Sequence, residues 1–314
     1  MTRRALVLGA GGFLGSHLSR RLVRDGWDVT AVARRPADRI VDIVGDLRLV
    51  TGDATDRALL DRLVPAMDAV FPLAGRSGAT RSMDEPLADA AANAMGQLVV
   101  LEALRHHNRD ARVVFPGSRL QYGRPMVFPV REDHPQQPTS VYALHKMLGE
   151  QYHLLYAERH GIATCCLRIS NPYGPAQDRP DQAFGVVGTF LARAAAGEDV
   201  AVFGGGRQRR DYVYVDDLVD LLLLAVTHPA APGEVFNAGG PTVTTVREMA
   251  EAVVRVVGRG RVVDVPWPDA EAAVETGDYF GDLRRSRDVL GWVPQIELDE
   301  GLAATWATLT PALT

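Results

Sequence analysis

The apolar and polar positions of the first half of the chain follow strand-like and helix-like patterns in turn. Apolar runs at 5–10 and 28–33 enclose a segment in which Leu14, Leu18 and Leu22 recur at helical spacing, so we predict a strand, a helix and a second strand. The same patterns predict further strands at 48–51, 67–73, 111–115 and 163–169, and helices at 56–64, 86–107 and 139–160. Because these strands are apolar throughout, they indicate a parallel sheet covered on both faces by helices.

The pattern changes after Ile169, where the segment 171–185 is rich in Pro, Gly, Asp and Gln. Shorter elements follow, and we predict helices at 184–196, 216–227 and 244–256, strands at 200–203, 234–237 and 261–265, and two short helices within 282–307. We therefore predict an α/β fold with a doubly wound parallel sheet over residues 1–170 and a smaller C-terminal α/β lobe over 171–314. Some segments of the second half are expected to return to the first domain.

The composition is that of an ordinary globular protein, and it narrows the range of partners. The 314 residues include 34 basic and 39 acidic side chains, a formal charge of −5, and 46% are hydrophobic, which excludes a disordered or collagen-like chain. No basic excess points to nucleic acid. The adjacent Cys165 and Cys166 form no disulfide framework, no signal peptide precedes the first motif, and no apolar run reaches the ~18 residues of a membrane helix. We expect a cytoplasmic protein that binds neither nucleic acid nor membrane, and no spacing predicts a metal site.

Three glycines follow the first predicted strand at a spacing typical of dinucleotide sites. Gly9 allows a tight turn, Gly12 allows the backbone to approach a pyrophosphate, and Gly15 lets the helix pack against the strand. Phe13 and Leu14 open the helix, whose first amides point toward the phosphates. In this strand, turn and helix context the motif predicts a dinucleotide site, with a purely structural turn as the alternative.

The residues after the second and third predicted strands bear on the choice of cofactor. NAD sites place a carboxylate at the end of the second strand, whereas this chain has Arg34 and Arg35, which suit a 2′-phosphate. We therefore expect NADP, and NAD remains possible if the two arginines are only solvated. Asp53 and Ala54 follow the third strand at a position suited to the adenine amine, although Asp53 is equally compatible with a helix-capping role.

Tyr142 and Lys146 are four residues apart on one predicted helix, so a phenol and an ammonium reach the same small volume. A nearby cation lowers the pKa of a tyrosine, ordinarily ~10, and an ammonium can also reach ribose hydroxyls. Lys146 is the single lysine among the 34 basic residues. Ser118 lies just past the strand predicted to end at Phe115, where a hydroxyl can bind a substrate oxygen at the carboxyl edge of the sheet.

Together these motifs resemble the extended short-chain dehydrogenase/reductases that modify nucleotide sugars, a family of epimerases, 4,6-dehydratases and 4-ketoreductases. The resemblance runs over nearly the whole chain and implies a Rossmann domain that binds NAD(P) and a lobe that binds a nucleotide sugar. The matching segments are GAGGFLG at 9–15, GDATD at 52–56, PLAG at 72–75, NAMGQ at 93–97, GSRLQYG at 117–123, YALHK at 142–146, LRISNPYGP at 167–175, RRDYVYVDDL at 209–218, FNAGG at 236–240 and LGW at 290–292.

The resemblance also implies roles for individual residues. Ser118, Tyr142 and Lys146 are implied to be catalytic, with Tyr142 and Lys146 also contacting the cofactor, and Asn93 is implied to kink its helix and to support a water-linked proton path. Further implied cofactor contacts are Leu73, Ala74, Gly75 and Asn93. The implied substrate contacts are Ser77, Ser118, Arg119, Asn171, Val202 and Arg210.

For three of these residues the resemblance also implies which part of the substrate is contacted. By resemblance, Asn171 contacts the pyrophosphate, Arg210 contacts the nucleotide, and the strand that contains Val202 lies against the nucleotide base. For Arg210, a salt bridge to Asp211 or Asp216 is the alternative.

Two departures from the family pattern narrow the chemistry. Dehydratases of the family carry Asp-Glu directly after the catalytic Ser or Thr, whereas this chain has Arg119 and Leu120, and a leucine cannot transfer a proton. We therefore expect no 4,6-dehydration. The family often has an arginine three residues before a late aspartate to hold the second phosphate, and that position is Glu275 here. We expect Arg261, Arg284 or another arginine to serve instead.

These observations favour an NADPH-dependent NDP-4-keto-6-deoxyhexose 4-ketoreductase, in which Tyr142 protonates the oxygen as hydride reaches C4. An NDP-hexose 4-epimerase, which uses the same residues and retains its cofactor, is the alternative. A catalytically silent dinucleotide-binding regulator is a third hypothesis. By analogy with the family we expect a homodimer formed through the helices at 86–107 and 139–160, and the sequence leaves the nucleotide and the sugar open.

Overall fold

The computed structural model describes residues 2–34, 38–177 and 185–309, which form three sheets and their connecting helices. The strands are β1 (Arg4–Leu8), β2 (Asp28–Ala33), β3 (Arg48–Thr51), β4 (Ala69–Pro72), β5 (Arg112–Ser118), β6 (Thr164–Ile169), β7 (Asn171–Tyr173), β8 (Asp199–Phe203), β9 (Arg209–Tyr214), β10 (Val235–Ala238), β11 (Val243–Thr245) and β12 (Arg261–Val265). The helices are α1 (Phe13–Arg24), α2 (Arg57–Leu63), α3 (Ala79–Asp84), α4 (Pro86–Asp89), α5 (Gly96–His107), α6 (Val141–His160), α7 (Gly185–Ala195), α8 (Val215–Thr227), α9 (Val246–Val257), α10 (Asp269–Val274), α11 (Arg284–Leu290) and α12 (Leu298–Leu309).

Seven parallel strands form the largest sheet, in the order β3-β2-β1-β4-β5-β6-β10. Side chains of β1 point alternately to two cores: Ala5 and Val7 pack in the core that contains α1 and α8, and Leu6 and Leu8 pack in the core that contains α2 and α5. Both faces of the sheet are therefore buried, which is why its strands are apolar throughout. The prediction of a doubly wound parallel sheet is confirmed.

Two segments beyond residue 170 are part of the domain that the large sheet forms. The strand β10 pairs in parallel with β6, with Val235 opposite Cys166, and the helix α8 packs against α1 and β5. The sequence pattern groups 216–227 and 234–237 with the elements of the small lobe. An apolar pattern predicts that a segment is buried, but it does not tell which other elements cover it. The tertiary structure therefore decides to which domain these two segments belong.

The small lobe contains a sheet of β7, β9 and β11 and a parallel pair of β8 and β12. The helices α7 and α9 pack against each other, and α12 packs against α9. Asn171 opens β7 and lies opposite Tyr212 of β9, next to Arg210. The strands β7, β9 and β11 are absent from the sequence prediction, because β7 and β11 have only three residues each and β9 begins with three charged residues.

The strand β5 extends to Ser118, three residues beyond the end predicted at Phe115. The extension is paired throughout with β6, from Pro116 opposite Leu167 to Ser118 opposite Ile169. Proline and glycine are depleted in strands, so Pro116 and the following glycine conceal the continuation. Ser118 is therefore the last residue of a buried strand and not a loop residue.

The segment 86–107 contains α4, a π-helical turn at Ala90–Met95 and α5. Asn93 lies in this turn, so an irregularity exists where the family resemblance implies a kink. Within the described part of the chain, this segment alone is long and apolar enough to cross a membrane by length and composition. Half of its most apolar 18-residue window is buried inside the fold. Core helices commonly pass the same test, so the segment is weak evidence for a membrane span.

Candidate active site

The glycine turn after β1 is closely packed on two sides. Gly9 has φ +85°, and a Cβ there would lie 2.7 Å from the backbone nitrogen of Ala74. A Cβ at Gly15 would lie 2.2 Å from the carbonyl oxygen of Gly9, so the turn accepts only glycine at both positions. Gly12 begins α1 without a side-chain cap, which leaves the amides of the first turn, at Phe13 and Leu14, directed toward the turn. This backbone fits the pyrophosphate of a dinucleotide.

Arg34 and Asp53 follow the neighbouring strands β2 and β3 and are both exposed. Hydrogen bonds from the backbone and side chain of Thr55, at 2.8 and 2.7 Å, lower the pKa of Asp53, and the charge of Arg34 lowers it further. Asp53 does not cap α2, because Asp56 does so by accepting from Leu59 N. The capping alternative for Asp53 is therefore wrong.

Of two further predicted cofactor contacts, Ala54 and Arg35, the structure describes one. Ala54 is buried below the exposed Asp53. Arg35, the second arginine of the predicted 2′-phosphate site, lies outside the described residues. Of the predicted arginine pair, the structure thus places only Arg34.

Asn93 binds the loop that follows β4. Its Oδ1 accepts from Arg76 N at 3.1 Å, and its Nδ2 donates to Arg76 O at 3.0 Å. A Cβ at Gly75 would lie 2.5 Å from Asn93 Oδ1. The predicted cofactor contacts at 73–75 are consequently held between the glycine turn and the π-helical turn. Because both ends of the Asn93 amide bind backbone, the water-linked proton path stays a prediction.

Ser118, Tyr142 and Lys146 meet at the carboxyl edge of the large sheet. The hydroxyl of Ser118 forms a hydrogen bond with the Tyr142 phenol. Lys146 Nζ lies 5.8 Å from the centre of the Tyr142 ring and donates to Pro116 O at 2.7 Å. The three side chains thus share one small volume, at the junction of β5 and α6.

Neighbouring hydrogen bonds hold the backbone of this cluster in place. Gln121 Oε1 accepts from Ser118 N at 2.7 Å, and Ser118 Oγ accepts from Leu120 N at 3.2 Å, which forms a capping box on the turn after β5. Ser82 Oγ accepts from Tyr142 N at 2.9 Å. The first turn of α6 is therefore attached to α3, and the phenol has a defined position.

Burial dominates the proton affinities of the cluster. It raises the pKa of Tyr142 to about 12, although the hydrogen bond to Ser118 acts in the opposite direction. It also lowers the pKa of Lys146 to about 8. The expected depression of the Tyr142 pKa by Lys146 is not seen in this arrangement, in which burial has the largest effect and Lys146 gives its hydrogen bond to Pro116 O. At neutral pH, Tyr142 keeps its proton.

A buried carboxylate beside the cluster was missed by the sequence analysis. Asp89 is 2% exposed, and its Oδ1 lies 2.7 Å from His145 Nδ1. After the larger effect of burial, the charge of Asp89 also acts on the pKa values of Tyr142 and Lys146, raising both. The available signals were a histidine directly before Lys146 and an aspartate four residues before Asn93 on the same helical segment.

Arg119 extends from the turn after Ser118 into the small lobe. Its Nε donates to Asn171 Oδ1 and its Nη1 to Thr276 Oγ1, both at 3.1 Å. Asn171 Nδ2 in turn donates to Asp211 O at 2.8 Å. These bonds connect the end of β5 to β7, β9 and the segment after α10, so Arg119 spans the cleft between the two lobes.

Arg210 pairs with Glu275, a partner far from it in sequence. Arg210 Nη2 lies 2.6 Å from Glu275 Oε1, and the same guanidinium donates to the carbonyl oxygen of Gly277. The expected alternatives, ion pairs with Asp211 or Asp216, are both wrong. Arg210 is 5% exposed, so its charge is buried, whereas Glu275 is partly exposed.

The remaining predicted substrate residues lie apart from this cluster. Ser77 is exposed in the loop after β4. Val202 is fully buried in β8, so only its backbone can contact a base. Arg261 forms an exposed ion pair with Asp199, and the exposed Arg284 pairs with the buried Asp282, so both arginines have partners other than Arg210 and Glu275. In the parts of the chain that the structure describes, no group of three His, Cys, Asp or Glu side chains is placed to hold a metal ion.

The glycine turn, the sheet edge and the cluster of Ser118, Tyr142 and Lys146 all fall within a segment that matches a known family model. The model, described as the NAD dependent epimerase/dehydratase family, matches residues 5–239. The chain belongs to this family. The resemblance inferred from the sequence motifs is therefore confirmed, and a Rossmann-type fold with a nicotinamide dinucleotide and a nucleotide sugar is the setting of the family's chemistry.

Individual relatives of the family match over almost the full chain. The UDP-glucose 4-epimerase of Mycolicibacterium smegmatis is 35% identical over 315 residues, which cover 96% of this chain and 97% of the relative. The solved structure of UDP-glucose 4-epimerase from Thermotoga maritima with UDP-glucose superposes with a TM-score of 0.91, at 30% identity, over 99% of this chain and 100% of that one. UDP-glucose 4-epimerase of Thermus thermophilus in complex with NAD gives a TM-score of 0.87 at 26% identity, over 98% and 99%.

The turn after Ser118 bears on the expectation that the chain is not a dehydratase. It carries Arg119 and Leu120, where the dehydratases are expected to carry an acid and a base. The described geometry gives Leu120 only a backbone role in the capping box. The site therefore places a phenol at Tyr142 and no acidic or basic side chain at position 120.

Proposed function

We propose that this protein is a nucleotide-hexose 4-epimerase. The observation that carries the proposal is the cluster of Ser118, Tyr142 and Lys146 beside a glycine turn, without an acid and base at 119 and 120. The names of the mycobacterial and Thermotoga relatives support it, since both are UDP-glucose 4-epimerases. The sequence analysis preferred a 4-ketoreductase, and the comparisons favour its alternative.

Tyr142 is the acid–base group in the proposed reaction. Ser118 holds O4 of the sugar beside the phenol, and Tyr142 takes the O4 proton in the first half-reaction and returns it in the second. The glycine turn at 9–15 would hold a nicotinamide dinucleotide, which, when bound, would supply reversible hydride transfer at C4 of the sugar. The sugar leaves with its formula unchanged, so the reaction consumes no oxidant and no reductant.

The high pKa of Tyr142 in the free protein sets a condition on this scheme. Tyr142 has to lose its proton before it can accept one from O4, and a positive charge near the phenol favours that loss. Lys146 supplies such a charge if its ammonium turns from Pro116 O toward Tyr142. A flexible ammonium can turn in this way, whereas a planar guanidinium requires a different geometry.

We propose NAD as the cofactor. The Thermus thermophilus relative is described in complex with NAD, and the expectation of NADP from Arg34 and Arg35 has no support among the relatives. A tightly held cofactor also suits an epimerase, which regenerates it in each cycle. Dissociation constants for NADH and NADPH test the proposal, and tighter binding of NADPH would restore the expectation of NADP.

The reaction itself is tested by incubating purified protein with UDP-glucose, with and without NADPH. We expect UDP-galactose, an isomer of unchanged mass, at a rate independent of NADPH. A 4-keto-6-deoxy nucleotide sugar serves as the second substrate in the same assay. Reduction of that compound, seen as a mass gain of two units and oxidation of NADPH, with no isomerisation of UDP-glucose, would instead identify a 4-ketoreductase.

We also propose a homodimer formed through α6 and the segment 86–107. Apolar side chains on these helices face solvent in the single chain, and Leu87 is 85% exposed. The others on the two helices are Met95, Leu144, Leu148 and Leu155. Exposed apolar side chains on helices that pack against each other, as α5 and α6 do, are typical of a protein–protein interface. Light scattering of the wild type and of Leu148→Glu measures the mass, and we expect a dimer and a monomer respectively.

A further inference from the structure

Arg119 is a partly buried cation whose direct partners are all neutral. It donates hydrogen bonds to the amide oxygen of Asn171 and the hydroxyl of Thr276, and its guanidinium lies 5.5 Å from the centre of the Tyr279 ring. Among the described residues, no carboxylate forms an ion pair with it. Burial lowers the pKa of Arg119 to about 10, and repulsion from Arg210 acts in the same direction. The free protein therefore holds this charge at an electrostatic cost.

The nearby Arg210, in contrast, has a direct carboxylate partner. Its guanidinium pairs with Glu275 at 2.6 Å and also donates to the carbonyl oxygens of Arg209 and Gly277. The charges of Arg210 and Glu275 cancel within the protein. The other acid of the cluster, Asp211, uses Oδ2 to accept from Gly281 N. The charge of Asp211 acts on Arg119 without a contact between the two side chains. Of the two arginines, Arg119 is therefore the one without a direct carboxylate partner among the described residues.

The position of Arg119 indicates which part of a ligand it meets. It is adjacent in sequence to Ser118, which faces the reacting end of the sugar, and its side chain points from there toward β7 and β9 of the small lobe. A nucleotide sugar that reacts at Ser118 extends in the same direction, from its sugar to its diphosphate. The Nη2 atom of Arg119 has no hydrogen-bond partner among the described residues.

We propose that Arg119 supplies the positive charge that binds the diphosphate of the nucleotide sugar, while Arg210 is neutralised by Glu275 and contributes less. The inference rests on the proposed function, because it assumes a nucleotide-sugar substrate in this cleft. Guanidinium groups bind phosphate oxygens by charge-assisted hydrogen bonds, and Asn171 and Thr276 hold this one in a fixed orientation. Binding of the diphosphate would compensate the charge that the free protein leaves unpaired.

The inference is tested by the affinity for UDP, which carries the diphosphate without a sugar. Calorimetry compares the wild type, Arg119→Met and the control Arg255→Met, which removes an exposed ion pair with Asp299. We expect Arg119→Met to weaken UDP binding roughly tenfold or more, since hydrogen bonds to charged groups are at stake, and the control to leave it unchanged. Equal affinity of Arg119→Met and the wild type overturns the inference, as does a wild type that does not bind UDP.

A second variant tests the charge argument without touching Arg119. Glu275→Gln leaves Arg210 unneutralised, so we expect it to tighten UDP binding, and a loss of affinity in this variant contradicts the inference. Thermal melts check that each variant is folded, and Arg119→Lys replaces Arg119→Met if the latter is not. For Arg119→Lys, we expect an affinity for UDP that is weaker than that of the wild type and stronger than that of a variant without a charge at position 119.

A third comparison separates the diphosphate from an acidic sugar. If Arg119→Met leaves UDP and UDP-glucose binding unchanged and weakens only UDP-glucuronate, the arginine binds a sugar carboxylate and the inference is wrong. The test is independent of turnover. An inactive protein whose UDP affinity depends on Arg119 refutes the epimerase and keeps the inference, whereas an active epimerase with an Arg119-independent UDP affinity does the reverse.

Discussion

The two lobes form their halves of the cleft by different means. In the large sheet, the cofactor side is made mostly of backbone: a glycine turn at 9–15, strand ends at the carboxyl edge, and a loop at 73–75 held by Asn93. In the small lobe, the substrate side is made of charged and polar side chains such as Arg210 and Glu275, which meet from separate segments. Backbone sites depend on local sequence, whereas side-chain sites depend on which distant segments the fold brings together.

The largest effect is expected where the two halves meet, at Tyr142. Tyr142→Phe removes the proton-transfer group and should reduce kcat roughly 10²–10⁴-fold with little change in UDP affinity. Tyr156→Phe is the matched control on the same helix, because its hydroxyl binds Glu102 and lies outside the cluster. Steady-state assays of both variants check the assignment. Full activity of Tyr142→Phe would show that the acid–base group lies elsewhere.

Lys146→Arg is expected to keep the fold and to lose most of the activity. A guanidinium keeps the charge but does not reproduce a compact ammonium that turns between Pro116 O and Tyr142. In the wild type, burial lowers the pKa of Lys146 to about 8, so its charge is present below that pH and lost above it. The rate should therefore fall as the pH rises through about 8. A pH profile measures this, and an alkaline limb that is identical in Lys146→Arg would exclude Lys146 as its source.

Ion pairs in the two lobes should differ in their contribution to stability. Arg168 on β6 binds Glu150 at 2.7 Å, and both are buried below the large sheet's edge, so Arg168→Met leaves an unpaired buried carboxylate. We expect a loss of ~3–5 kcal/mol in the free energy of unfolding. Arg255→Met in the small lobe removes an exposed pair and should cost at most ~1 kcal/mol. Urea unfolding measures both, and equal losses would contradict the contrast.

A smaller loss of stability than that of Arg168→Met is expected at the glycine turn. A Cβ at Gly15 would lie 2.2 Å from the carbonyl oxygen of Gly9, so Gly15→Ala has to shift backbone and should cost ~1–3 kcal/mol of stability and weaken NADH binding. Gly45→Ala is the matched control, because nothing lies within 4 Å of its Cβ position. Thermal melts and NADH titration report the two quantities. Normal NADH affinity in Gly15→Ala would argue against a cofactor at this turn.

Much of the large sheet could be predicted from the sequence, and the errors have identifiable causes. The segment 28–33 matches β2 in full, because an apolar run between two turns leaves few alternatives. The end of β5 was placed at Phe115 and lies at Ser118, because Pro116 belongs to a strand against its usual preference. The pairing of β10 with β6 joins residues about 70 positions apart, which no local pattern reports.

The candidate site shows the same division. The one-turn spacing of Tyr142 and Lys146 predicted their meeting, because a helix fixes the separation of residues four apart. The sign of the Tyr142 pKa shift was wrong, because burial and the partners of a side chain are tertiary properties. The Asp89 and His145 pair joins two helices that contact each other only in the folded chain. Neither Asp89 nor His145 lies in a sequence motif strong enough to predict this pair.

The sequence by itself determined the parts of this protein whose geometry is local: a strand, a glycine turn and a helix, a phenol and an ammonium on one helix, and motifs that identify the family. Only the tertiary structure decided which charges are compensated, because an ion pair such as Arg210 and Glu275 depends on two segments that fold to the same place. Backbone conformation is set by neighbours in sequence, whereas electrostatic energy is set by neighbours in space. Arg119 depends on both kinds of neighbour. Its place beside Ser118 follows from the chain, whereas the neutral partners of its guanidinium in the cleft follow from the fold.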